Sequence, residues 1–172
     1  GVAVALPTVP AEDALLEEIQ EASFRFFDRE VNLHNGLVRD SASNMEKGGG
    51  NAPASIAGTG FALTAYPVAV ERGWMSRAKA YALTVRTLEF FLEKAPQHHG
   101  FFYHFLNFET GERVNRSELS PIDTALFLAG ALFAAEYYDD AKVRDLAGKI
   151  YERVDFPWMM NRGRFLALSW SP

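Results

Sequence analysis

The chain has 172 residues, 17 Lys and Arg against 22 Asp and Glu, a net charge of -5 and no cysteine. That length suits one domain with a sizeable core, while the acidic balance without any basic run argues against a nucleic-acid partner. Without cysteine there are no disulfides and no thiolate-bound metal, and the aromatic fraction of 13% is high.

The start, GVAVALPTVPAED, has no basic n-region, so it is not an intact signal peptide, though it fits what a cleaved one leaves. A chain free of cysteine suits a periplasmic or extracellular bacterial protein, and the cytoplasm is equally compatible. The uncharged runs, Ile56–Val70 and the stretch from Ile122 onward, fall short of the roughly 18 apolar residues that span a bilayer.

Five helices are predicted. The first, about Ala11–Asn32, carries Leu15, Ile19, Ala22 and Phe26 on one stripe and its charges elsewhere. The second, about Ser55–Arg72, has no charge before Glu71, contains Pro67 as an expected kink, and ends at Gly73, a C′ glycine. The third, about Ser76–Ala95, again shows one stripe: Tyr81, Val85, Leu88 and Leu92. Ser120-Pro121 reads as an N-cap followed by proline at the first helical position, and the fourth helix runs nearly charge-free to Glu136. The fifth, about Asp140–Val154, buries Val143, Leu146, Ala147, Ile150 and Val154.

One-faced helices belong outside and all-round apolar ones inside, so the chain alternates outer, inner, outer, inner, outer. A faint repeat accompanies this: Ser55–Gly73 aligns with Ser120–Tyr138, matching Ser55 to Ser120, Thr59 to Thr124, Leu63 to Leu128 and Glu71 to Glu136. Helix-pair repeats stack into solenoids or close into toroids. Inner-to-outer links are tight, at Gly73–Met75 and Asp139. Outer-to-inner links are long, at Leu33–Ala54, Pro96–Leu119 and after Asp155. Antiparallel alternation puts the long links on one rim, beside the amino ends of the inner helices, and long links in compact domains tend to be functional. The second of them reads as a β-hairpin, FFYHFLNF and ERVNR about Gly111, and Arg164–Trp170 as a further extended piece. The Gly48–Asn51 run lacks the strand-helix setting of a phosphate loop and reads as a mobile segment. Five helices cannot close a ring, so residues 1–172 read as part of a larger domain.

Two acids stand at the mouth of the fourth helix. Asp123 sits three residues after Ser120, where an acid also serves as a capping-box device. Glu118 has no such local role. Paired carboxyls with separated pKa values perform glycosidic chemistry, and burial beside aromatics is expected to raise one of them. Asp40, in the first rim loop, would bond substrate hydroxyls or simply form a turn. If Phe101–Phe105 is one strand, Phe102 and His104 share a face, with Tyr103 on the other. Sugar rings stack on aromatics, a role open to Phe102, Tyr103, Trp158 and Trp170, while Asn115 and Arg116 could bind hydroxyls. His98-His99 reads as a solvated turn rather than a metal pair, and no metal or cofactor is expected.

TGFALTA…ERGW, GFFYHF…TGER and, most specifically, SELSPIDTALFLAGAL resemble the glucoamylase-like family of bacterial proteins, which includes endo-β-1,2-glucanases and a region of the cyclic β-1,2-glucan synthases. The match is strongest over about Gly36–Tyr138. The resemblance implies an all-α fold, part of an (α/α)6 toroid with a small β-hairpin on its active-site rim. It also implies hydrolysis or transglycosylation of β-linked glucan, in an inverting manner, on an oligo- or polysaccharide substrate. It places Glu118 and Asp123 in the cleft and the general acid beyond Pro172. Two other readings stay open: a lyase or epimerase on the same toroid, using Tyr103 and His104 for proton transfer, and a non-catalytic helical-repeat scaffold. The oligomeric state is not legible.

Overall fold

The computed structural model describes residues 11–43, 50–160 and 162–172. The amino-terminal GVAVALPTVP and residues 44–49, with Gly48 and Gly49 of the glycine run, lie outside the described residues. Helices α1 (Ala11–Arg29), α2 (Ile56–Glu71), α3 (Arg77–Glu93), α4 (Pro121–Tyr138) and α5 (Ala141–Glu152) follow the order read from the sequence. A short α6 (Phe156–Met159) is added. Four two-residue strands, β1 (Ala54–Ser55), β2 (Gln97–His98), β3 (Phe101–Phe102) and β4 (Phe105–Leu106), form two antiparallel pairs, β1 with β4 and β2 with β3. Among the described residues no helix is long and apolar enough to cross a membrane.

The inner pair is α2 and α4, which make the most extensive contact in the molecule, and α3 and α5 pack on each other and over them. Two glycines set how closely α2 and α4 approach. A Cβ on Gly60 would stand 2.5 Å from the Phe127 Cα, and one on Gly130 would land on the Gly60 carbonyl oxygen. No side chain fits between the backbones there. Below this crossing, Phe91 stacks on Phe127 at 3.8 Å, and Phe102 meets both rings edge-on.

The tight links have local causes. After α2 the Gly73 N–H bonds the Val70 carbonyl and the Trp74 N–H bonds that of Ala69, a Schellman ending with Gly73 at φ +74°. After α4, Asp139 takes the left-handed conformation and Asp140 caps α5 by accepting from the N–H groups of Lys142 and Val143. The end of α3 is closed from afar: the Arg153 guanidinium donates to the carbonyls of Phe91 and Leu92, both at 2.9 Å. Helix α2 runs through Pro67 without interruption.

Three expectations need correction. The α1 stripe is not covered: Leu15, Ile19 and Ala22 are exposed, and the helix is anchored near its far end by buried Phe24, stacked on Trp74. Nor are the inner helices buried all round. Phe61, Ile122, Leu132 and Phe133 are each 43–62% exposed, because no helix among the described residues lies on that side. Finally, Phe101–Phe105 is not one strand. It breaks at Tyr103 and His104, so the alternation of faces resets there, and Phe101 and Phe102 are both buried.

The faint repeat has a structural counterpart. Ser55 caps α2 by accepting from the Gly58 N–H, and Ser120 caps α4 by accepting from that of Asp123. One turn on, Thr59 Oγ1 accepts the Val38 N–H at 3.0 Å, and Thr124 Oγ1 accepts the Phe102 N–H at 3.1 Å. The caps close the bracket: the Ser55 N–H bonds the Val38 carbonyl and the Ser120 N–H bonds that of Phe102. Each inner helix thus grips the rim segment before it by the same four atoms.

Candidate active site

The brackets place equivalent residues at equivalent points on the rim. Two residues after Val38, the Asp40 N–H bonds the Pro53 carbonyl; two after Phe102, the His104 N–H bonds the Glu118 carbonyl. The His104 carbonyl in turn accepts from the N–H of Ile56, the first residue of α2. Bridges pair Arg39 with Ala54, Ser55 with Phe105, Tyr103 with Leu119, and Leu119 with Trp170. Five extended segments therefore lie side by side across the mouth. The third long link, like the first two, arrives on this rim.

At the centre of this row His104 links the two acids. Its Nδ1 lies 3.0 Å from Glu118 Oε1, and its Nε2 lies 3.8 Å from Asp123 Oδ2. A carboxylate only accepts, so the shorter bond puts the proton on Nδ1. The longer gap exceeds hydrogen-bond range. The ring stacks on Phe105 at 3.8 Å, which fixes its plane. Asp123 is more enclosed than Glu118, 14% against 35% exposed at the side chain. Its Oδ2 receives the Ser120 hydroxyl while its N–H donates back to Ser120 Oγ. Asp123 thus braces the Ser120 cap through its hydroxyl, without the capping-box bond to the Ser120 N–H, which goes to the Phe102 carbonyl, and it also neighbours His104.

Burial was expected to raise one carboxyl. For Glu118 the opposite holds: a hydrogen bond from its own backbone N–H holds the carboxyl below the usual glutamate range, and His104 and the Arg113 charge add to this. Burial opposes them and loses. Glu118 is therefore ionised near neutrality, the state of a base or water-positioning group rather than a proton donor. Because its folded pKa is the lower one, the linked stability is present above the unfolded glutamate value and lost as pH falls through the folded value. The urea midpoint should exceed that of Glu118→Gln at neutral pH and converge with it in acid. A gap that widens on acidification would contradict the assignment. Partial exposure keeps the effect small.

The other predicted residues fall in three places. Tyr103 is half-buried on the same rim, its ring covered by the Arg113 guanidinium at 4.3 Å. Asp40 is exposed on this rim, one repeat unit away from His104. Asn115 and Arg116 are exposed in left-handed conformations, and Asn115 lines a cavity of about 350 Å³ with Arg39, Asn51, Asn107, Phe108 and Glu109. Trp170 stands at the opposite end of the row of segments. Phe102 is the correction: fully buried against Phe91 and Phe127, it offers no surface to a sugar.

Sequence reasoning missed Arg39, Asn51 and Asn107. Arg39 lies over the Phe108 ring at 3.7 Å and donates to the Ala52 carbonyl. Asparagines beside Gly50 and in the Asn107–Gly111 turn were the available signal. Among the described residues no group of three or more His, Asp or Glu is placed to hold a metal ion.

No protein-family model matches the sequence. The chain is 27% identical over 184 residues to an exo-β-1,2-glucooligosaccharide sophorohydrolase acting at the non-reducing end, from Parabacteroides distasonis, covering 98% of the chain and 24% of that protein. The fold of this chain is similar to part of that of an endo-β-1,2-glucanase from Chitinophaga pinensis, solved with sophorotriose and glucose: TM-score 0.78, 25% identity, 95% of this chain and 42% of that one. It also matches a Bacteroides fragilis protein described provisionally as a glucoamylase, with TM-score 0.78, 28% identity, and 98% and 43% coverage. The resemblance read from SELSPIDTALFLAGAL thus holds at the level of fold and of relatives. The chain spans less than half the length of each of these three proteins.

Proposed function

We propose that residues 1–172 form the amino-terminal portion of one (α/α)6 glycosidase domain, acting on β-linked glucan, foremost the β-1,2 linkage, in the bacterial periplasm or outside the cell. The observation that carries this reading is the His104-linked pair, Glu118 and Asp123, at the mouth of an inner helix, on a fold shared with β-1,2-glucan-acting proteins. Glu118, held ionised, activates or positions the attacking water, and Asp123 and Asp40 orient sugar hydroxyls. An inverting reaction needs a second, protonated carboxyl on the other side of the bond. That group comes from outside this chain, so the chain alone is inactive. The uncovered apolar side of α2 and α4 supports the same view, since further helices of the toroid would lie there.

The test is product analysis of the whole protein on β-1,2-, β-1,3- and β-1,4-glucan. Short β-1,2-linked oligosaccharides of inverted anomeric configuration are expected. Unsaturated products would replace this reading with a lyase, and cleavage confined to the other linkages would remove the β-1,2 assignment.

A further inference from the structure

We infer that the aromatic cluster at the last rim segment is a second sugar-binding site, which stacks a pyranose ring of the glucan beside the acidic centre. The inference rests on the glucan reading above and extends it to residues outside the acid pair. Trp158 in α6 and Trp170 meet edge to face at 5.3 Å. His99 lies parallel on Trp158 at 4.3 Å and 4°, and His98 on Trp170 at 5.0 Å and 18°. Asp155 holds the His99 ring through Nδ1 at 3.2 Å. Each indole thus has a histidine over one face.

Beside the indoles lies a cavity of about 340 Å³, whose lining includes Trp158, Trp170, Met159, Arg162 and Ser169. That is the size of a small-ligand pocket, and the composition is mixed in the manner of one, with apolar rings for contact and few polar groups for orientation. A glucose ring presents axial C–H bonds on its faces and hydroxyls around its edge. The indoles suit the first, and the Arg162 guanidinium and Ser169 hydroxyl suit the second. Both tryptophans are half-buried and both histidines are exposed.

Position ties this cavity to the acids. Trp170 exchanges two backbone hydrogen bonds with Leu119, at 2.8 and 3.1 Å, and Leu119 follows Glu118 directly. One strand spacing, about 5 Å, separates their backbones. A glucan lying across the rim would reach both.

The experiment is tryptophan fluorescence of the chain, titrated with β-1,2-gluco-oligosaccharides of increasing length. Trp74 is stacked in the core on Phe24, so a Trp74→Phe background leaves only the two indoles of the site. A saturable change is expected, with affinity rising with length until the ligand spans cavity and acids. Trp170→Ala should weaken binding roughly tenfold, as removal of one aromatic anchor does, and Arg162→Ala, a surface change, should weaken it as well. Affinity equal to the parent's in both variants, or no response of the parent to any oligosaccharide, overturns the site. Glu118→Gln, with turnover read in the whole protein and fluorescence in the chain, keeps the two proposals apart: lost turnover with an unchanged fluorescence response supports both. Undiminished turnover with that response supports the cavity and removes Glu118 from the chemistry.

Discussion

Under the proposed glucan-hydrolase function, Glu118→Gln is expected to lower turnover of β-1,2-glucan by about 10²–10⁴-fold in the whole protein, the range that a positioned acid or base contributes. The substitution keeps the side chain's size but removes the charge that its own backbone N–H, His104 and Arg113 favour. Glutamine can still accept from His104 Nδ1, so substrate affinity should change little while kcat falls. His104 then serves as an internal check. His104→Gln removes the link between the two acids and should lower kcat less than Glu118→Gln does, since it leaves the carboxylate in place. Steady-state kinetics on defined oligosaccharides read both. Full activity in Glu118→Gln would take this residue out of the reaction.

Gly130→Leu destabilises the fold by about 3 kcal/mol or more, the upper end of what overpacking costs. A side chain at this point meets the Gly60 carbonyl of the neighbouring inner helix, and backbone does not yield as a flexible side chain does. Separation of α2 and α4 would also disturb the stacking of Phe91 on Phe127. Gly148→Ala is the contrast. It lies within α5 with nothing within 4 Å of the added Cβ, so it should stabilise by about 0.5–1 kcal/mol through helix propensity. Urea unfolding of the two variants should move in opposite directions. A Gly130→Leu midpoint equal to that of the parent would mean the inner helices are not held this closely.

The helices were legible because their signals are local. Ser120-Pro121, Gly73 and Asp140 act within one turn of chain, and the single stripes of α3 and α5 record one buried face each. The contacts that assemble the site are not local. His104 and Glu118 are brought together by the antiparallel pairing of Tyr103 with Leu119, which no periodicity announces. Phe102 was misplaced because alternation assumes an unbroken strand, and this one changes partner at Tyr103: β3 pairs with β2, and β4 with β1. The four-residue α6, with Pro157 inside it, is too short to show a period. Glu118 shifts downward because a backbone donor outweighs burial, a balance set by loop geometry. The exposed apolar side of α2 and α4 could be read only in part: their composition demands cover but does not say what supplies it.

The paired serine and threonine brackets have a consequence for how such a site can diversify. They grip the backbone N–H and carbonyl of Val38 and of Phe102, so these bonds are indifferent to which side chains project two positions later. One unit carries Asp40 there and the next carries His104. New specificities can therefore arise by single replacements at these sockets, with the scaffold beneath them left undisturbed.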